Sequence, residues 1–157
     1  RKQRGVHMAA NLERAIQIAT VAHEGQTRFD GSPYVNHPVR VMRTVEAQGH
    51  GLFTQQVAVL HDVVEDTDWT LDLLAAEGFG DEVLIPLDLL TKRPGDIYEE
   101  YVARLMPNPR ARAVKKADLM DNMDLTGLEN PSRRRIETIE KYGRALVMLS
   151  RFPLPRV

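Results

Sequence analysis

The stretch Val57-Ala-Val-Leu-His-Asp-Val-Val64 decides the fold. Val57, Ala58, Val59, Leu60, Val63 and Val64 cover nearly the whole circumference of a helix around His61 and Asp62. A helix that is apolar on every side is buried, so other helices must surround it. Working outward, Thr54 offers this helix an N-cap, and Pro38 sits in the first turn of a preceding helix that Val41, Met42 and Val45 carry to Gly49. Leu12, Ala15, Ile16, Ala19 and Ala22 fall at three- and four-residue steps, the stripe of a first amphipathic helix. Gly25, Gly31 and Pro33 then interrupt the pattern, which predicts a loop over Arg28 to Asn36. Downstream, Thr70 caps a short helix closed by Gly78, and Asp81 to Lys92 reads as a helix bent or shortened by Pro86. Asp96 caps a helix through Tyr98, Val102 and Leu105, while Asn108-Pro109 and Asn130-Pro131 open two more, near 109–123 and 131–150. Nothing alternates with period two long enough to make a strand. The expectation is an all-α, compact bundle of about seven to nine helices.

Length and composition bound what such a bundle can do. The chain has 157 residues, 43% hydrophobic and 27% charged, the balance of one ordinary globular domain. No uninterrupted apolar run is long enough for a membrane span or a signal-peptide core; Ala145 to Leu149 is among the longest. With no cysteine, disulfides, thiolate nucleophiles and Cys-ligated zinc or iron–sulfur sites are excluded, which fits a reducing cytoplasm. Lysine and arginine number 21 against 22 acidic residues, so no global field calls for nucleic acid or a membrane surface. Arg1 to His7 carries no apolar period and precedes Met8, so it reads as upstream or tag-like sequence, leaving residues 8–157 as the single domain. Function must therefore reside in a local site.

The central helix carries the chemistry. A buried carboxylate beside a buried imidazole is costly unless the two are paired or bound to a metal. For His61 and Asp62 alone, a satisfied hydrogen bond accounts for the pair. Glu65 and Asp66 follow at once, however, and lie on neighbouring stripes of the same helix. Three carboxylates crowded so closely repel one another, and a divalent cation would relieve that repulsion. His37, placed before Pro38 at a helix start, is easily aimed inward. Asp118 lies on a helix whose inner side is marked by Val114 and Ala117, with Asn122 one turn further on the same face.

The series His37, His61-Asp62 and Asp118 resembles the H…HD…D signature of HD-domain metal-dependent phosphohydrolases. More narrowly, the surrounding text resembles the hydrolase domain of the RelA/SpoT homologues, especially the small single-domain alarmone hydrolases. The matching stretches are Ala22-His-Glu-Gly-Gln-Thr-Arg28, Pro33-Tyr-Val-Asn-His-Pro38, Ala58-Val-Leu-His-Asp-Val-Val-Glu-Asp-Thr67, Leu90-Thr-Lys92 and Lys116-Ala-Asp-Leu-Met-Asp-Asn122. They span most of residues 12–150 in the family's order.

The resemblance implies an HD-domain helical bundle with His37, His61, Asp62 and Asp118 as metal ligands. The family's metal is typically Mn²⁺, and a mixed imidazole–carboxylate shell suits Mn²⁺, Fe²⁺ or Zn²⁺. Glu65 and Asp66 match the family's catalytic acidic pair, which positions and deprotonates the attacking water. Arg28 and Asn122 match residues that hold the nucleotide near its base and sugar. Lys92, Arg93, Lys115 and Lys116 join Arg28 as candidate phosphate-binding cations, whereas Arg133-Arg134-Arg135 reads as solvated surface. The implied reaction removes the 3′-diphosphate from a purine nucleotide, guanosine or adenosine, with no synthetase domain alongside. The implied partner is that small nucleotide alone, without nucleic acid or membrane. One departure stands out: the family's common text Asp-Arg-x-His-Asn-x-Arg-Thr is here Asp118-Leu-Met-Asp-Asn-Met-Asp-Leu125, which bears on base identity. The competing readings are a broader HD phosphohydrolase acting on other phosphate esters and a non-catalytic sensor; intact Glu65 and Asp66 speak against the sensor.

Overall fold

A computed structural model describes residues 10–126, 128–153 and 155–157, so the tag-like segment Arg1 to His7 lies outside the described residues. The chain is all-helical, with nine helices among the described residues. They are α1 (Leu12–Ala22), α2 (Asn36–Ala47), α3 (Leu52–Leu60), α4 (Val63–Asp66), α5 (Leu71–Ala76), α6 (Asp81–Leu90), α7 (Tyr98–Leu105), α8 (Pro109–Met123) and α9 (Arg133–Leu149). The only β-pairing among those residues is an isolated bridge between Thr27 and Pro33. As its composition requires, α3 is central: Thr54 to Leu60 are all buried, and the helix packs against α1, α2, α6 and α8. Ala15, Ile18, Val41, Val45, Val57, Leu60, Leu87, Val114 and Leu119 form the core around it, each at most 2% exposed. Among the described residues no helix is long and apolar enough to cross a membrane.

Several boundaries follow the sequence signals. Thr70 and Asn108 each accept a hydrogen bond from the backbone N–H three residues on, the geometry of a working N-cap, and Asn11, not singled out in the sequence, does the same for α1. Gly78, at φ +102°, terminates α5 in a conformation that a side chain would strain. Pro86 sits inside α6, which ends at Leu90.

Other boundaries differ, where a competing hydrogen bond or a backbone turn takes the place of the expected cap. Thr54 does not cap α3, which starts after Gly51. Its hydroxyl instead donates to the Val157 carbonyl at 2.6 Å, tying the helix to the end of the described chain. Asp96 does not cap α7, whose N-cap is Ile97; its carboxylate accepts from the Arg93 N–H and from the Arg104 guanidinium. Asn130 adopts φ +53° and leaves the capping of α9 to Ser132. The predicted continuous helix through Val64 is broken at His61–Asp62. There the His61 Nδ1–H donates to the Ala58 carbonyl at 2.6 Å, the acceptor that a continuing helix would offer to the Asp62 amide.

Candidate active site

The break between α3 and α4 is what aims the central residues. His61 and Asp62 are consecutive and would diverge by roughly 100° on a regular helix. With the chain turning between them, both reach the same point: the His61 Nε2 lies 3.1 Å from the Asp62 Oδ2 and 3.3 Å from the Asp118 Oδ1. His37, in the first turn of α2, brings its Nε2 to 2.9 Å from the Asp118 Oδ1 and 3.7 Å from the Asp62 Oδ2. The loop before α2 is held as a tight excursion, with Arg28 N–H bonded to the Ser32 carbonyl, Tyr34 N–H to the Gln26 carbonyl, and Gly31 turning at φ +83°. All four residues expected as metal ligands thus converge from α2, the α3–α4 turn and α8.

The donor set fits a divalent cation. His37, His61 and Asp118 are buried, and one ligand atom from each lies within 4.8 Å of the others. Both imidazoles are presented the same way. The His61 Nδ1–H faces a carbonyl, which can only accept, and the His37 Nδ1–H faces the Asp121 Oδ2 at 2.6 Å. Each ring is therefore anchored through Nδ1 and turns its Nε2 to the common point, the arrangement that metal-ligating histidines show. The buried His61 Nε2 makes no hydrogen bond. Burial disfavours charge on His61, but Asp62 and Asp118 outweigh it and push its pKa well above the ordinary imidazole range. Such a site attracts positive charge, and nitrogen and oxygen donors without thiolate suit a hard or borderline metal.

Around this cluster opens a pocket of about 220 Å³ whose lining includes Asp62, Glu65, Asp66, Lys92, Lys115 and Asn122. Glu65 and Asp66, on the single turn of α4, stand at its rim. Burial of their carboxyl groups raises both pKa values, and the neighbouring Asp62 charge raises them further, the direction that makes a carboxylate a better proton acceptor. Tyr34 donates to the Asp62 Oδ2 at 2.6 Å and holds that carboxylate in place. On α8, Lys115 donates to the Asp118 Oδ2 at 2.9 Å and Asn122 to the Asp118 Oδ1 at 3.0 Å.

The cationic residues separate into two groups. Lys92 and Lys115 line the pocket as expected, whereas Arg93 is exposed and pairs with Asp88, and Lys116 lines a different cavity with His50 and Arg156. Arg28 lies just behind the pocket. Its guanidinium donates to the Asn122 Oδ1 at 3.3 Å and lines a neighbouring cavity of about 240 Å³ with Phe29, Arg40 and Asp121. Arg135 departs from the expectation of a solvated face: it stacks over the Phe29 ring at 4.0 Å and donates to the Asn122 carbonyl. Lys141 of α9 lines the pocket with Tyr98 and Tyr142 and was not foreseen, because on an amphipathic helix nothing in sequence separates it from a solvated lysine. Asp121 was legible only as a missing histidine, although its place three residues after Asp118 puts it on an adjacent stripe of α8.

No protein-family model matches the chain. It is similar to the guanosine-3′,5′-bis(diphosphate) 3′-pyrophosphohydrolase of Vibrio cholerae, 34% identical over 146 residues that make up 84% of this chain and 21% of that protein. It is likewise similar to the bifunctional (p)ppGpp synthase/hydrolase SpoT of Escherichia coli, 33% identical over 145 residues, 84% of this chain and 21% of that protein. A probable GTP pyrophosphokinase of Mycobacterium leprae is 33% identical over 141 residues, 82% of this chain and 18% of that one. The chain thus spans about a fifth of the length of these curated relatives. Among solved structures, a metazoan ortholog of SpoT described as hydrolyzing ppGpp and playing a role in starvation responses superposes with a TM-score of 0.75 at 26% identity. That match covers 95% of this chain and 90% of the other.

Proposed function

We propose that the chain is an HD-type hydrolase domain of the RelA/SpoT homologues, to whose members it is similar, and that it hydrolyses the 3′-diphosphate of a purine alarmone nucleotide such as guanosine tetraphosphate. The products are pyrophosphate and the 5′-nucleotide. One observation carries the reading: His37, His61 and Asp118 converge, with Asp62 3.1 Å from His61, beside a pocket that an acidic pair and a set of lysines line. His37, His61, Asp62 and Asp118 would hold the divalent ion, for which we propose Mn²⁺. When bound, such an ion acidifies water and offsets phosphate charge.

The chain's own residues supply the rest. Glu65 and Asp66 orient the attacking water and take its proton as its oxygen bonds to the phosphorus attached to the 3′-oxygen. The bond between that phosphorus and the 3′-oxygen breaks, and the 3′-oxygen leaves with the proton taken from the water. Lys92, Lys115 and Lys141 set positive charge against the diphosphate under attack. Asn122 faces the sugar from α8, and Arg28 stands on the base side of it.

The test is an assay of the purified protein with Mn²⁺ over 3′-diphosphorylated guanosine and adenosine nucleotides, scored for pyrophosphate and orthophosphate. We expect pyrophosphate with one or both purines. Orthophosphate from 5′-nucleotides would show a broader phosphohydrolase instead, and nucleotide binding without turnover would show a sensor.

A further inference from the structure

We propose that Asp121 is the positioning residue that makes His37 a metal ligand, an inference that rests on the metal site proposed above. His37 is 1% exposed, so the protein groups around it set its tautomer. Its Nδ1 lies 2.6 Å from the Asp121 Oδ2 and its Nε2 2.9 Å from the Asp118 Oδ1; both carboxylates can only accept, so a cation that binds at Nε2 displaces the proton there and leaves the Nδ1 proton held by Asp121. Without that acceptor, the ring would be free to place its proton on Nε2 and donate to the Asp118 Oδ1 at 2.9 Å, which spends the lone pair the metal needs.

Asp121 is itself fixed. The Arg40 Nε donates to its Oδ1 at 2.7 Å and the Arg40 Nη2 to its Oδ2 at 3.1 Å, a two-point clamp from the same helix that carries His37. The Arg28 Nη1 stands 3.8 Å from the Oδ2. The carboxylate therefore cannot swing away from the imidazole without breaking a bidentate pair. The two histidines are served differently, since His61 is oriented by the neutral Ala58 carbonyl of its own helix. The family's common text has His where this chain has Asp121, so the arrangement comes from this chain's own residues.

The experiment measures binding of Mn²⁺ to metal-stripped protein, by the electron paramagnetic resonance signal of the free ion, beside the thermal midpoint of the stripped protein. Asp121→Asn should weaken Mn²⁺ binding about 10- to 100-fold, the range for loss of a partner behind a ligand. The midpoint should move little. Arg40→Gln, whose side chain is 46% exposed, keeps the fold and should weaken binding in the same direction. The exposed Asp124→Asn should change neither quantity. A Mn²⁺ affinity within twofold of the parent in Asp121→Asn overturns the proposal, and Arg40→Gln decides it alone should Asp121→Asn fail to fold. Should the parent itself bind no Mn²⁺ while His37→Ala is indistinguishable from it, the metal site has failed and not merely its positioning.

Discussion

Asp62, Glu65 and Asp66 lie within one turn of chain, yet they point to different tasks, and substitution should separate them. Asp62 converges with the two imidazoles and is held by the Tyr34 hydroxyl, whereas Glu65 and Asp66 stand at the pocket rim. Asp62→Asn should lose metal together with activity, because an amide is a neutral and poorer ligand. Glu65→Gln and Asp66→Asn should retain metal and lose on the order of 10²–10⁴-fold in kcat. Elemental analysis beside pyrophosphate release reads both quantities; metal lost from Glu65→Gln as fully as from Asp62→Asn would make Glu65 a ligand. These residues were legible in sequence because imidazoles and carboxylates are costly in an apolar helix and demand an explanation. Lys141 and Arg135 carried no such cost. Lys141 lines the pocket, and Arg135 reaches the Asn122 carbonyl behind it, only because α9 folds back over α8, a juxtaposition no local pattern encodes.

At the scale of elements, the signals that held are those satisfied within a few residues. Asn108 accepts from the Ala111 N–H at 2.9 Å and places Pro109 in the first turn of α8, the helix that carries Lys115, Asp118, Asp121 and Asn122. Asn108→Ala should therefore cost about 1 kcal/mol and lower Tm by about 2–4 °C. Calorimetry measures it, and a shift below 1 °C would mean that packing alone fixes the start of α8. The signals that misled are those in which another group claimed the side chain: Thr54 was taken by the distant Val157, and Asp96 turned back to the Arg93 amide with the Arg104 guanidinium beside it. The break at His61–Asp62 was hidden for a related reason. Its apolar flanks read as one helix, and only the imidazole bond to the Ala58 carbonyl ends the first segment.

For the whole molecule, the candidate ligands tie together α2, the α3–α4 turn and α8, elements that already share one core through Val41, Leu60 and Leu119. The fold should thus persist without metal and gain stability with it. Mn²⁺ at a hundred times its dissociation constant should add about 2.7 kcal/mol, visible as an upward shift of Tm that a chelator reverses. A chain that unfolds outright on chelation would show instead that the core is insufficient by itself. The composite origin of the site has a consequence for biosynthesis. His37, His61 and Asp62 leave the ribosome before Asp118, so the proposed ligand set is complete only once α8 has been made. During synthesis the nascent chain would therefore begin to pack around α3 with that set one carboxylate short, and an ion held by all four residues would mark a finished protein rather than seed its folding.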